Sequence, residues 1–160
     1  MSAPDLRASL PTVGAPAPAF SLPSTSGAEV ALTSFRGQQH VLIAFFPLAF
    51  TSTCTAEMCA FGEDFGRFAS QQTVVLPISV DSLPTLREYK ARHALHFDFL
   101  SDFRRDVSRA YGVLNEEKFY ANRAYIIVDK LGVVRWAWQE EHNGLRRENA
   151  ELLAQLAALD

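Results

Sequence analysis

Cysteine is scarce in this sequence, because its 160 residues contain only Cys54 and Cys59. Two cysteines are too few for the disulfide framework that stabilises small secreted domains. The start of the sequence also lacks the basic segment followed by an apolar segment that marks a secretory leader. The sequence therefore predicts a cytoplasmic, reducing location, where cysteines are buried in the core, bind metal or carry redox chemistry.

Positive charge is also in short supply. The chain has 15 Lys and Arg against 18 Asp and Glu, a net charge of -3 at pH 7. Nucleic acids and anionic membrane surfaces attract basic protein surfaces, so we expect neither as a partner. No apolar run approaches the length that crosses a bilayer, and no membrane-spanning segment is expected.

The composition is that of an ordinary globular protein, with 48% hydrophobic and 21% charged residues. A chain of this length can bury a sizeable core, and it contains no internal repeat. The beginning is rich in Ala, Pro and Ser and has no hydrophobic periodicity. We therefore predict a single domain over residues 1–160, in which residues 1–12 are a flexible arm.

Apolar periodicity predicts an alternation of strands and helices. Three apolar runs indicate strands at residues 41–46, 73–80 and 124–128, and a mixed run after a turn indicates a fourth at residues 133–138. Helical spacing indicates helices at residues 54–68, 84–94, 104–111 and 145–159. One face of the first helix is predicted to carry the apolar residues Cys54, Met58, Phe61, Phe65 and Phe68. A hairpin at residues 19–35 precedes them, and the last strand is predicted to pair antiparallel at a sheet edge. This order favours an α/β fold, a thioredoxin-like three-layer α/β sandwich with an N-terminal β-hairpin.

Cys54 occupies an unusual place in the stretch "HVLIAFFPLAFTSTCTAEMCAF", residues 40–61. Pro47 ends the strand, and the next helix is predicted to begin just before Cys54. The first turn of a helix presents free N–H groups and the positive end of the dipole, which favour a thiolate. Core packing is the alternative, since free cysteines are often buried. The nearby residues Thr51, Pro47 and Glu57 favour a reactive Cys54 over one that only packs in the core. An apolar wall around the sulfur is predicted from Phe45, Phe46 and Phe50.

The segment "PLAFTSTC" resembles the Pro-x-x-x-Thr-x-x-Cys motif of the peroxiredoxins, through Pro47, Thr51 and Cys54. The resemblance extends over roughly residues 12 to 159 and places Arg123, in "EKFYANRAYIIVD", where the family has its active-site arginine. It implies a thioredoxin fold and a cysteine-based peroxidase that needs no metal, haem or other cofactor. Without the resemblance, Arg123 would be interpreted as an ordinary charge at the end of a strand.

The resemblance also implies a role for each of these residues. Cys54 is the peroxidatic residue, whose thiolate attacks the O–O bond of a peroxide and becomes a sulfenic acid. Thr51, Arg123 and the backbone amides around Cys54 donate to the leaving oxygen, and Arg123 favours the ionised thiol. Pro47 shields the sulfur, and Glu57 is a candidate supporting carboxylate one turn after Cys54.

Cys59 is a candidate resolving cysteine. On an intact helix its Cα lies ~8.6 Å from that of Cys54, beyond the ~7 Å limit for a disulfide, so pairing requires local unwinding. It shares a face with Gly62, Glu63 and Gly66 rather than with the phenylalanines. "CTAEMC" resembles the Q-type (bacterioferritin comigratory) peroxiredoxins, which use such a pair. "EKFYANRAYIIVD" resembles the E-type alkyl hydroperoxide reductases, which typically lack the second cysteine. The alternative is a bystander Cys59, with an external thiol resolving Cys54.

Three other functions compete with the peroxidase. A disulfide oxidoreductase usually carries Cys-x-x-Cys, and four intervening residues fit it less well. A zinc module needs more ligands than the two cysteines, and the nearest histidine, His40, precedes the strand. A peroxide-sensing thiol relay would use the same chemistry. The resemblance implies a thioredoxin or glutaredoxin-like reductant and a small peroxide substrate as partners, and leaves monomer and homodimer open.

Overall fold

The computed structural model of the chain describes residues 9–159. Most of the predicted arm, residues 1–8, lies outside this part, whereas Leu10 packs against the core. The elements follow in the order β1 (Ser21–Pro23), β2 (Glu29–Ala31), a 3-10 helix (Leu32–Phe35), β3 (His40–Phe45), α1 (Ser52–Glu63), α2 (Phe65–Ser70), β4 (Thr73–Ser79), α3 (Leu83–Arg92), β5 (Leu100–Ser101), α4 (Asp106–Ala110), β6 (Leu114–Asn115), β7 (Tyr120–Ala121), β8 (Ala124–Val128), β9 (Val134–Gln139) and α5 (Asn149–Ala157).

Five strands form a mixed central sheet in the order β5-β4-β3-β8-β9. β3, β4 and β5 run parallel, while β8 pairs antiparallel with β3 and with β9. β9 therefore lies at a sheet edge beside the strand that precedes it, as predicted. β1 and β2 form the predicted hairpin, and β6 and β7 form a second short pair.

The central strand β3 divides the core into two layers. Leu42 and Ala44 face a layer that contains α1, α3 and α5, and Val41, Ile43 and Phe45 face a layer with the hairpin and α4. Because both faces of β3 are covered, every one of its residues is buried. This double burial explains why its sequence is a continuous apolar run rather than an alternation.

The predicted helix over residues 54–68 is wrong in one respect, because it is two helices. α1 ends at Glu63, and Asp64 interrupts the helix before α2 begins. Asn149 holds this junction by donating from Nδ2 to Ala60 O at 2.8 Å and to Asp64 Oδ2 at 2.9 Å. The break turns Phe65 away from the core, so its side chain is 47% exposed. Apolar spacing alone does not reveal this break. Phe61, Phe65 and Phe68 keep the helical intervals of four and three residues across it.

Two further helices are shorter than predicted. α4 begins at Asp106 rather than at residue 104, because Arg105 before it adopts a left-handed conformation with φ of 68°. α5 begins at Asn149, and Leu145 lies outside it and is 38% exposed. No helix within residues 9–159 is long and apolar enough to cross a membrane.

Candidate active site

Cys54 lies where the carboxyl end of β3 leads into α1. Pro47 is buried just after the strand, and Thr51 is the extended N-cap residue whose carbonyl oxygen accepts from Thr55 N at 2.9 Å. Cys54 is then the third residue of α1, in the turn whose N–H groups have no helical partners. The end of a strand that feeds a helix N-terminus is a common ligand site in open α/β sheets. Cys54 is buried, with 1% of its surface exposed.

Arg123 is brought to Cys54 by the pairing of two strands. It directly precedes β8, whose first residue, Ala124, lies opposite Phe45 at the end of β3. Its Nη2 donates to Cys54 Sγ at 3.1 Å. The guanidinium is 1% exposed, so Arg123 is not the solvated strand-end charge that the sequence alone suggested.

Glu57 forms a buried ion pair with the same guanidinium. Its Oε1 accepts from Arg123 Nη1 at 2.9 Å, and its Oε2 accepts from the Tyr125 hydroxyl. Burial raises the pKa of Glu57 above its usual value, and Arg123 and Tyr125 only partly oppose this rise. Burial would lower the pKa of Arg123, but the charges of Glu57 and Cys54 outweigh it and raise that pKa. The guanidinium therefore remains charged next to the sulfur.

The loop that follows β9 completes the surroundings of Arg123. Asn143 accepts twice from Arg123: its carbonyl oxygen from Nη2 at 3.2 Å, and its Oδ1 from the backbone N at 3.0 Å. Arg147 N donates to the Tyr125 hydroxyl at 3.0 Å, and the Arg147 side chain pairs with buried Glu140. Sequence reasoning missed Asn143 and Tyr125, because both reach the site only through contacts between elements distant in the chain.

The segment before Cys54 is fixed by its own hydrogen bonds. Thr51 Oγ1 donates to Leu48 O at 2.7 Å, and Ala49 N donates to Asp81 Oδ2 at 2.8 Å. Asp81 also accepts from the hydroxyl of Ser79, at the end of β4. Thr51 therefore holds the turn between Pro47 and α1, and Asp81 attaches that turn to the neighbouring strand.

The predicted apolar wall is partly wrong. Phe46 is buried in the same layer as Cys54. Phe45 points to the opposite face of the sheet, where its ring lies 5.5 Å from that of Tyr111, because successive strand residues alternate between faces. Phe50 is 46% exposed and packs edge-on against Tyr89 with ring centroids 5.0 Å apart.

Cys59 lies in the second half of α1 and is half-buried, and neither cysteine forms a disulfide. Its neighbour Gly62 faces the protein rather than water, since a Cβ there would lie 3.5 Å from Leu95 Cδ2. Two cysteines five residues apart on an intact helix cannot form a disulfide unless the backbone moves. Within residues 9–159 no group of three or more His, Cys, Asp or Glu side chains is arranged to hold a metal ion.

The chain has recognisable relatives. Residues 13–137 match the AhpC/TSA family. Alkyl hydroperoxide reductase E of Mycobacterium tuberculosis is 37% identical over 150 residues, which cover 91% of this chain and 98% of the relative. The chloroplastic 2-Cys peroxiredoxin BAS1 of Arabidopsis thaliana is 32% identical over 160 residues, covering 94% of this chain and 60% of the relative.

The fold of this chain is similar to that of several solved structures. The reduced 2-Cys peroxiredoxin of Plasmodium vivax superposes with a TM-score of 0.86 at 30% identity, covering 92% of this chain and 82% of that one. AhpC of Mycobacterium tuberculosis superposes with a TM-score of 0.84 at 26% identity, covering 93% of each chain. The predicted thioredoxin-like α/β sandwich with its N-terminal hairpin is confirmed.

Proposed function

Because this chain belongs to the AhpC/TSA family of peroxiredoxins, and is thereby an enzyme that reduces peroxides with a thiol, we propose that Cys54 is its peroxidatic residue. The observation that carries the proposal is the 3.1 Å contact between Arg123 Nη2 and Cys54 Sγ inside a buried site. A guanidinium at this distance stabilises negative charge on the sulfur, and the thiolate is the nucleophile.

The reaction begins when the Cys54 thiolate attacks one oxygen of a peroxide, ROOH. An S–O bond forms, the O–O bond breaks, and its electron pair leaves on the other oxygen as RO⁻, which takes a proton to give an alcohol or water. Negative charge thus moves from sulfur to the leaving oxygen. Arg123 and the N–H groups at the start of α1 lie next to that path and stabilise the charge as it moves.

Thr51 and Pro47 serve the same step. Thr51 already donates its single hydroxyl proton to Leu48 O, so it does not donate to the leaving oxygen as the resemblance implied. Its oxygen can instead accept a hydrogen bond from the O–H of a hydroperoxide. Pro47 is buried beside the loop and has no N–H, so it lines the approach to the sulfur without offering a competing donor. Glu57 acts through Arg123, which it holds in place.

Cys59 resolves the sulfenic acid in this proposal. Its thiol attacks the Cys54 sulfur, a disulfide forms and water leaves. The first turns of α1 unwind to allow this, since the two Cα atoms of an intact helix are ~8.6 Å apart. A dithiol protein of the thioredoxin or glutaredoxin type then reduces the disulfide. The relative named alkyl hydroperoxide reductase E favours organic hydroperoxides as substrates beside hydrogen peroxide, and the cytoplasm is the proposed location.

Intact-protein mass after one equivalent of hydrogen peroxide tests these roles. The wild type is expected to lose two hydrogens, Cys59→Ser to hold a trappable sulfenic acid, and Cys54→Ser to remain unchanged. A wild-type sulfenic acid that never becomes a disulfide would make Cys59 a bystander and assign resolution to an external thiol. An unreactive Cys54 in the wild type would overturn the peroxidatic role.

A further inference from the structure

Tyr125 is buried directly behind the ion pair of Arg123 and Glu57. Its hydroxyl donates to Glu57 Oε2 and accepts from Arg147 N at 3.0 Å. We propose that Tyr125 is a positioning residue for peroxide reduction: it keeps Glu57 ionised and oriented, so that Arg123 stays directed at Cys54. The inference rests on the proposed function of Cys54.

Glu57 needs two hydrogen-bond donors, one for each carboxylate oxygen. The carboxylate is buried, with one oxygen on Arg123 and the other on Tyr125. A buried carboxylate oxygen without a donor bears the full cost of leaving water, and the group then takes up a proton instead. Arg123 reaches only Oε1 of Glu57, through Nη1, while its Nη2 is used by Cys54 and Asn143. Tyr125 therefore supplies the donor to Oε2.

Arg123 in turn depends on Glu57 for its orientation. Nη1 is held by Glu57 at 2.9 Å, while Nε is buried and has no hydrogen-bond partner among the described residues. The orientation of the guanidinium plane is therefore set by its two terminal nitrogens. A protonated Glu57 would weaken the anchor on Nη1, and Nη2 would lose its fixed direction toward the sulfur.

Tyr125 is itself fixed in place, and its hydroxyl is always able to donate. It lies in β8 between Ala44 of β3 and Trp138 of β9, and it is fully buried. Burial, together with the charge of Glu57, raises the pKa of Tyr125 well above its usual range, so the hydroxyl keeps its proton. Phenylalanine would preserve the packing of this ring and remove the hydroxyl, which donates to Glu57 and accepts from Arg147 N.

A purely structural role for Tyr125 would give a different result in a pH profile. Without the hydroxyl, the raising effect of burial on the pKa of Glu57 is opposed only by Arg123 and, more weakly, by the charge of Arg146. Glu57 then takes up a proton as the pH falls, and the rate of sulfenic acid formation falls with it. Above the pKa of Glu57 the carboxylate is charged again and the rate recovers. Lost packing alone would lower the rate equally at every pH.

The experiment is stopped-flow measurement of sulfenic acid formation with hydrogen peroxide, across the pH range, on wild type, Tyr125→Phe and Tyr111→Phe. Tyr111 is a matched control, since it is equally buried and its hydroxyl donates a hydrogen bond to Pro18 O in the other core layer. We expect Tyr125→Phe to be at least ~10-fold slower near pH ~6, with a smaller deficit at pH ~8 and one added ionisation. Tyr111→Phe should match the wild type. Parallel profiles for wild type and Tyr125→Phe would overturn the inference.

Glu57→Gln is the second variant, which decides the matter if Tyr125→Phe does not fold. Glutamine keeps the hydrogen-bonding oxygen but never carries charge, so a slow rate without the added ionisation is expected. A wild-type rate in Glu57→Gln would overturn the inference. Wild-type protein that does not react at all would instead refute the proposed function of Cys54, so the two failures are distinguishable.

Discussion

At the scale of single residues, burial decides what a side chain can do, and Arg123 shows this most clearly. The same arginine on a solvated strand end would contribute little, since exposed ion pairs are worth ~0–1 kcal/mol. Here the guanidinium is enclosed with Glu57 and Cys54, where water screens its charge poorly. Removing its partner from such a pair costs ~3–5 kcal/mol, because the remaining charge is left buried and alone.

Arg123→Lys separates the charge of this residue from its geometry. Lysine keeps a cation for Glu57, so the fold should persist. Its single ammonium nitrogen cannot replace the two guanidinium nitrogens that donate to Glu57 and to Cys54. We expect the rate of Cys54 oxidation by hydrogen peroxide to fall about 10²–10³-fold, measured in a single turnover. The exposed Arg87→Lys on α3 is the control and should react like the wild type. A rate within threefold or so of wild type would contradict a transition-state role for the guanidinium of Arg123.

The sequence predicts some residues of the site and not others, for a physical reason. Pro47, Thr51 and Cys54 lie in one short segment, so their spacing can be recognised in the sequence. Arg123 was predicted because the sequence around it resembles that of the family. Phe45 was misplaced because an apolar run hides which face each residue points to. Tyr125, like Asn143, reaches the site through strand pairing and a returning loop, which no local pattern records.

At the scale of elements, the start of α1 is held from outside by α3. Tyr89 on α3 is buried, and its hydroxyl donates to Thr55 Oγ1, one residue after Cys54, at 3.1 Å. Its ring packs against Phe50, in the loop before the helix, and against Phe99. Burial raises the pKa of Tyr89 to about 12, so the hydroxyl is a constant donor. The turn that must unwind for a Cys54–Cys59 disulfide is thus tied to a neighbouring helix.

Tyr89→Phe should accelerate disulfide formation. The variant removes one hydrogen bond worth ~1 kcal/mol to the closed helix, so the open form becomes about fivefold more populated. The rate from sulfenic acid to disulfide, measured by quenched-flow mass spectrometry, should rise by the same factor. Tyr120→Phe on β7 is the control and should leave it unchanged. An unaltered rate in Tyr89→Phe would mean that unwinding does not limit the step.

Element boundaries are also where prediction from sequence was weakest. Four of the five strands of the central sheet were placed to within a residue or so, because their runs are long and end at turns. β5 was missed, because its two residues are too short to show a pattern. The break between α1 and α2 was missed, since Phe65 continues the apolar spacing although its side chain is exposed. What ends α1 is a tertiary contact, the hydrogen bonds that Asn149 makes to Ala60 and Asp64, from a helix more than eighty residues away.

At the scale of the whole molecule, β3 belongs to both core layers, and this favours unfolding as one unit. Leu42→Ala should destabilise the layer of α1 and Ile43→Ala the opposite layer, each by ~2–5 kcal/mol, because both side chains are fully buried. Urea unfolding followed by tryptophan fluorescence and by circular dichroism should give one coincident transition in each variant. The exposed Val13→Ala should shift it by less than ~0.5 kcal/mol. Two separated transitions would contradict a single domain.

The hydrogen bonds of Asn149 have a further consequence for the competition between resolution and over-oxidation. They fix the chain at Ala60, immediately after Cys59, so unwinding from Ser52 frees a segment of roughly eight residues that is tethered at both ends. Within such a tether the Cys59 thiol is present at an effective concentration of the order of millimolar or more. A second peroxide molecule, which would oxidise the sulfenic acid further, must compete with that concentration by diffusion. The length of the tether, and not the reactivity of either sulfur alone, would then set the peroxide concentration at which the enzyme is inactivated.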